Sequence, residues 1–178
     1  SFHRPKPASC TPLLPRTGLL WIARLALIAS VALHSHAAWA LTMINRRARP
    51  QDYDHRRVQT ATVAARTMRW TGVALFLFVI YHLLHFTWGS AHPDFIAGDV
   101  YHNVTVAFAN VGIALLYVVA MLFLGLHLWH GLWSLFQSLG LNHPTYNSWR
   151  RAFAITFAIV VALGFLVVPV VIAAGMIR

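Results

Sequence analysis

The chain has 178 residues, of which 58% are apolar and only 10% charged, and its formal net charge is +10 at pH 7. Because soluble domains carry about 25% charged residues, this composition excludes an ordinary soluble protein. The excess of positive charge lies in loops between apolar stretches rather than along one polar face, so we expect no nucleic-acid partner.

Apolar stretches long enough to cross a bilayer recur along the chain, since about 20 residues span a hydrocarbon core of about 30 Å. They predict helices over about 17–44, 64–89, 104–139 and 150–177. None shows the alternating pattern of a transmembrane β-strand. We therefore predict one domain, 1–178, that is all-α: an integral membrane helical bundle with four transmembrane helices. The third stretch exceeds one crossing, so we expect it to project past the bilayer or to begin as an interfacial helix.

The charges alternate between successive loops. The second loop, 90–103, has no Lys or Arg but contains Asp94 and Asp99, and the third ends in Arg150 and Arg151. The first loop holds seven arginines: Arg46, Arg47, Arg49, Arg56, Arg57, Arg66 and Arg69. Cytoplasmic loops of membrane proteins are enriched in Lys and Arg, so the first and third loops are predicted to be cytoplasmic. This pattern is typical of a multi-pass protein of the cell's inner (cytoplasmic) membrane.

This topology places the N-terminus outside, yet the first residues, "SFHRPKPASC", have no apolar core and are not a signal peptide. We therefore expect a fifth transmembrane helix upstream that is absent from this chain. The single cysteine, Cys10, excludes a disulfide within the chain.

Histidines are concentrated in the apolar stretches. Because an imidazole in hydrocarbon is unfavourable unless a partner compensates, intramembrane histidines usually mark functional sites. Three predicted helices carry a pair each, and these six residues are His34 and His36, His82 and His85, and His127 and His130.

The depth of these histidines separates them into two levels. His34 lies 12 residues before Arg46, and His127 lies 12 residues before Leu139, both on helices that run inward. At 1.5 Å per residue, each is about 18 Å from the inner polar boundary. Two histidines at one level on different helices suit the axial positions of one haem iron. His82 lies nearer the outer face and predicts a second, outer cofactor site.

Several stretches resemble a known family. They are "PLLPRTGLLWIARLALIASVALH", "NRRARPQDY", "RTMRWTGVALFLFVIYHLLHFTWG" and "HLWHGLWSLFQSLGLNH". Together they resemble the cytochrome b membrane-anchor subunit of succinate dehydrogenase or fumarate reductase, in the single-subunit, five-helix, two-haem class. The resemblance covers residues 11–176, nearly the whole chain.

The resemblance implies haem ligands on the first four of five helices. Matched by position, His34 stands on the second helix, His82 on the third and His127 on the fourth, and the first helix has no counterpart here. It implies one haem b between His34 and His127, a position for a second at His82, and a membrane quinone. The implied function is the non-flavin anchor of respiratory complex II. A flavoprotein carrying the dicarboxylate chemistry and an iron–sulfur protein would dock on its cytoplasmic face.

The remaining three intramembrane histidines are weaker candidates for cofactor binding. His85 lies at i+3 from His82 and shares its helix face, whereas His36 points to a different side from His34. His130 lies next to Gly131. Each is as well explained as a hydrogen-bonded core residue, and no residue is assigned to the quinone.

Two alternatives stay open. In the first, the same complex holds a membrane-embedded iron–sulfur cluster in place of haem. A Rieske-type cluster needs two cysteines, of which this chain supplies only Cys10. In the second, the protein is a non-redox transporter with a histidine proton path, which the lack of Asp and Glu in every apolar stretch disfavours. A reduced-minus-oxidised optical spectrum distinguishes the three.

Overall fold

The computed structural model of the chain describes residues 18–48 and 63–177. Within these residues every regular element is helical, as predicted. In chain order the elements are α1 (Gly18–Arg47), α2 (Val63–His82), a π-helical turn (Leu83–Thr87), α3 (Val100–Ala109), α4 (Val111–Ser138) and α5 (Pro144–Ala173).

Four helical segments are long and apolar enough to cross a membrane: α1, α4, α5, and residues 67–87, which span most of α2 and its π-turn. The predicted all-α bundle class with four such helices is thereby confirmed. The upstream fifth helix concerns sequence outside this chain and stays a prediction.

The chain divides into two compact units, Ser1–Arg57 and Val58–Arg178. In the first unit the described element is α1, which has no buried residue. Large apolar side chains are therefore exposed along its length, as a bilayer or a partner helix requires. All other helices belong to the second unit.

The third predicted helix, 104–139, is two helices in the structure, because the chain turns at Asn110. The Asn110 backbone is extended, and its side chain accepts hydrogen bonds from the backbone N–H groups of Gly112 and Ile113, which caps α4. The extra length beyond one crossing thus forms a separate ten-residue helix, α3. Its own N-cap is Asp99, whose carboxylate accepts the backbone N–H of His102.

The last helix begins six residues before the predicted residue 150. His143 is its N-cap, with Nδ1 accepting the backbone N–H of Thr145, and Pro144 occupies the first helical position. Proline is favoured there because its missing N–H would have no helical partner in any case. The start of α5 is therefore determined by polar residues that a hydropathy pattern assigns to the loop.

The second unit is built around α4, which packs against both α2 and α5. Small residues let α4 and α5 approach closely: a Cβ at Gly125 would lie 3.3 Å from Cβ of Ala162, and Ala154 and Ala158 of α5 are buried. Small residues at helix contacts are the usual means of close packing in membranes.

The loop between α2 and α3, named the outer loop after the predicted topology, is held by polar contacts with α3. The Asn103 side chain accepts the backbone N–H of Ile96 and donates to its carbonyl, each at 2.8 Å. Gly89 has φ +73°, and a side chain there would collide with the Phe95 ring. The loop therefore forms a fixed cap on the outer end of the unit.

Candidate functional site

The histidines of the second unit lie at two levels. The helices α2 and α4 run antiparallel, with Thr71 opposite His127 and His82 opposite Tyr117. Thr71 and His82 are eleven residues apart on α2, which corresponds to about 16 Å along the helix axis. His127 and His82 are therefore separated in depth, and they belong to two different sites.

The inner site contains His127, which is half-buried. Its Nδ1 lies 3.5 Å from the Thr71 hydroxyl, and that hydroxyl donates its own hydrogen to the Met68 carbonyl at 3.0 Å. Because the Thr71 oxygen can then only accept, the pair favours the tautomer of His127 with its hydrogen on Nδ1 and its lone pair on Nε2. This is the tautomer that a metal ligand needs.

Gly72 of α2 lies next to the His127 ring. Gly72 follows Thr71 on α2, and a Cβ at Gly72 would lie 3.5 Å from Cε1 of His127. The imidazole therefore lies directly against the backbone of α2, with no side chain between them.

The outer site joins three side chains through one hydroxyl. The Tyr117 hydroxyl lies 2.9 Å from Nδ1 of His85 and 3.4 Å from Nδ1 of His82. The π-turn begins immediately after His82, and π-helical turns are found frequently at functional sites. The structure thus brings His82 and His85 together, although His85 is fully buried and His82 is exposed.

The His85 ring is clamped between two other rings. It stacks on Tyr81, with centroids 5.2 Å apart, and on His92, with centroids 5.0 Å apart. His92 is itself fixed: its Nε2 donates to the Asn103 carbonyl at 2.7 Å, and its Nδ1 accepts the backbone N–H of Asp94 at 3.0 Å. Nε2 of His85 is buried and has no hydrogen-bond partner among the described residues.

His82 opens onto an apolar cavity of about 460 Å³ within the second unit. This volume lies within the range of roughly 300–1,000 Å³ that is typical of cofactor sites. Residues from four helices line it, among them Phe78, Phe86, Val104, Phe108, Met121, Leu124, Phe165 and Pro169. The polar residues of the wall are His82, Asn103 and Tyr117, and the rest of it is apolar. An imidazole at such a cavity is a donor that an apolar cofactor with a metal centre would use.

The other predicted histidines lie elsewhere. His34 and His36 are exposed on α1 in the first unit, so the pairing of His34 with His127 joins the two units and stays a prediction. The ring of His130 is paired with the next turn of its own helix, because Nε2 lies 3.0 Å from the Ser134 hydroxyl. Among the described residues, no three His, Cys, Asp or Glu side chains form a metal-binding group. A bis-histidine iron needs only two, from different helices. Cys10 lies outside the described residues.

Sequence reasoning did not identify two polar partners of these histidines, Tyr117 and Thr71. A hydroxyl on an apolar helix was the available signal, but both contacts join helices, and hydropathy does not fix the register between helices. It also placed Arg150 at the boundary between the third loop and the last helix. In the structure this residue lies on α5 and is 1% exposed.

Comparison with family models gives one match, to the succinate dehydrogenase/fumarate reductase transmembrane subunit, over residues 43–167. No curated protein and no solved structure matches the chain. The matched range contains the outer site and His127, while His34 and His36 precede it. It covers well over half of the 178 residues and confirms the resemblance seen in the sequence. With four helices able to cross a membrane, this chain belongs to the succinate dehydrogenase/fumarate reductase transmembrane subunit family.

Proposed function

We propose that this chain is the cytochrome b membrane anchor of a succinate:quinone oxidoreductase, respiratory complex II, and that it passes electrons from an iron–sulfur partner to a membrane quinone. The observation that carries the proposal is the placement of His127 and His82 at two depths of one bundle, each with Nδ1 facing a hydroxyl. Family membership supports the assignment to this complex.

The inner haem b would be held by His34 and His127. The Thr71 hydroxyl lies on the Nδ1 side of His127, so Nε2 would be the coordinating nitrogen. When bound, the haem supplies one-electron redox chemistry within the membrane. Burial of the imidazoles is then compensated by coordination to iron.

The outer cofactor position is at His82. The cavity beside it is apolar enough for a porphyrin face, and the His82 ring contributes the donor atom. Its second ligand would come from another helix.

The soluble partners, a flavoprotein and an iron–sulfur protein, would dock at the cytoplasmic face. Arg46 and Arg47 end α1 there, and the remaining first-loop charges up to Arg57 lie outside the described residues. A concentration of arginines near the bilayer serves topology and also attracts acidic partner surfaces. The complex would lie in the inner (cytoplasmic) membrane, with dicarboxylate chemistry on the flavoprotein.

Reduced-minus-oxidised optical spectra of the purified complex test this function. The wild-type complex should show haem b, whereas an embedded iron–sulfur cluster or a transporter would not. His127→Ala should remove the inner haem and stop electron flow to quinone. Succinate oxidation with artificial acceptors should continue, because that chemistry is on the soluble subunits.

Two variants complete the experiment. His82→Ala should lose outer haem absorbance and keep the inner haem. His102→Ala, in the first turn of α3, removes a ring whose hydrogen-bond partner among the described residues is Asp94, and it should retain the full haem content. A complex that assembles normally with His127→Ala and keeps all its haem would refute the assignment.

A further inference from the structure

We propose that Tyr117 is a positioning residue for the outer haem: its hydroxyl accepts the Nδ1 hydrogen of His82 and thereby turns Nε2 of His82 toward iron. This inference rests on the proposed role of His82 as an outer haem ligand.

The hydroxyl of Tyr117 has two histidine neighbours but only one hydrogen. It lies 2.9 Å from Nδ1 of His85 and 3.4 Å from Nδ1 of His82. A phenol donates one hydrogen bond and accepts up to two. The hydroxyl is buried and has no other hydrogen-bond partner among the described residues, so its hydrogen goes to one imidazole and the other imidazole donates to it. The chain of three groups therefore has two directions.

A metal at His82 selects one direction. Coordination through Nε2 requires the hydrogen of that ring on Nδ1, so His82 donates to the Tyr117 oxygen. The Tyr117 hydrogen then points to Nδ1 of His85, and His85 carries its own hydrogen on Nε2.

The surroundings hold the hydroxyl in place. Tyr117 is 6% exposed, and its ring makes edge contacts with Phe78 and Phe108, each with centroids 4.9 Å apart. Its shorter hydrogen bond is to His85, whose ring is clamped between Tyr81 and His92. The hydroxyl thus cannot turn away without breaking a buried hydrogen bond, which makes it a fixed acceptor for His82.

A fixed acceptor on Nδ1 has an electronic consequence. Hydrogen bonding of the distal ring nitrogen raises the basicity of a histidine ligand. A more basic ligand stabilises the ferric over the ferrous state, so it lowers the reduction potential of the haem. Tyr117 is therefore expected to lower the potential of the outer haem and to fix the orientation of the His82 ring.

Tyr117→Phe in the whole complex tests this role with readouts other than turnover. The substitution removes one oxygen and keeps the ring contacts. We expect both haems to remain, the outer haem to titrate at a higher midpoint potential, and its ferric low-spin EPR signal to shift. The inner haem should be unchanged. The matched control is Tyr81→Phe, which removes a phenol oxygen next to His85 that makes no hydrogen bond to His82.

The outcomes distinguish failure of the Tyr117 role from failure of the outer haem assignment. Selective loss of the outer haem in Tyr117→Phe also supports the role, while potentials and EPR signals equal to those of Tyr81→Phe overturn it. If Tyr117→Phe prevents assembly, His85→Leu is the deciding variant. A higher midpoint potential of the outer haem supports the chain of hydrogen bonds from His82 through Tyr117 to His85, and an unchanged potential refutes it. If His82→Ala retains both haems, the outer haem assignment itself has failed.

Discussion

Arg150 on α5 is a buried cation at the end of an apolar bundle, and neighbouring side chains satisfy one nitrogen of its guanidinium. Its Nη1 donates to Oδ1 of Asn147 at 2.6 Å and of Asn142 at 3.1 Å. Its guanidinium carbon lies 4.6 Å from the Trp133 ring centroid. The two amides and the aromatic face thus replace part of the water around the charge, while Nε and Nη2 are buried with no hydrogen-bond partner among the described residues.

Replacement of Arg150 should destabilise the α4–α5 contact. Arg150→Leu removes two hydrogen bonds and a cation–π contact, which together should lower the free energy of unfolding by about 1–3 kcal/mol. Arg150→Lys should recover only part of this loss, because an ammonium lacks the flat guanidinium face that lies over the Trp133 ring. The measurement is the thermal unfolding midpoint of the detergent-solubilised complex.

The neighbouring arginine provides the control. Arg151 is exposed and lies 6.0 Å from the same Trp133 ring, so Arg151→Leu should change the midpoint little. Equal effects of the two substitutions would contradict a specific role of the buried guanidinium.

For individual residues, the sequence predicts which side chains share a face of one helix, but not which side chains of two helices are in contact. The i+3 spacing of His82 and His85 gave their common side, and the structure places both near one hydroxyl. Tyr117 is 32 residues from His85 along the chain. Its contact depends on the register of two antiparallel helices, which hydrophobic periodicity leaves undetermined.

Among the elements, long apolar helices were predictable because length and hydropathy suffice to identify them. Their ends were not, because capping residues determine them. Asn110 caps the start of α4, and His143 with Pro144 starts α5. Hydropathy identifies neither start, because Asn110 lies within an apolar stretch and His143 and Pro144 lie within a polar one. The π-turn has no sequence signal that separates it from the α-helix before it.

Packing between α4 and α5 depends on Gly125. A side chain there would meet Ala162 at 3.3 Å, whereas Gly164 on α5 has nothing within 4 Å of a Cβ position. Gly125→Val should therefore destabilise the bundle by about 1–3 kcal/mol relative to Gly164→Val, since overpacking forces the helices apart. Both variants change helix propensity alike, so the difference in their unfolding midpoints isolates the packing effect. Equal unfolding midpoints would show that α4 and α5 can accommodate a side chain at residue 125 without loss of stability, which would contradict this role of Gly125.

For the whole molecule, the distribution of charge predicts how the bundle is inserted. Loop 88–99 contains Asp94 and Asp99, while Arg46 and Arg47 end α1 and Arg150 and Arg151 lie near the start of α5. By the positive-inside rule, the loop with the aspartates faces outward.

Cysteine labelling measures this orientation. In a chain carrying Cys10→Ser, a membrane-impermeant maleimide should label Ser90→Cys in intact spheroplasts. Ser138→Cys should react only after permeabilisation. Both positions are exposed, so a difference in reactivity reports the side of the membrane. The reverse pattern would invert the topology and place the partner subunits on the other face.

The π-turn at Leu83–Thr87 bears on how this chain is compared with its relatives. A π-turn arises when one residue is added to an α-helix without extending its rise, so it behaves as an insertion in the linear sequence. An alignment with a relative whose corresponding helix is regular therefore needs a one-residue gap within 83–87. A gap at that position keeps His82 and the helix before it in correspondence, whereas a gap placed before His82 would match the wrong residue to the ligand position.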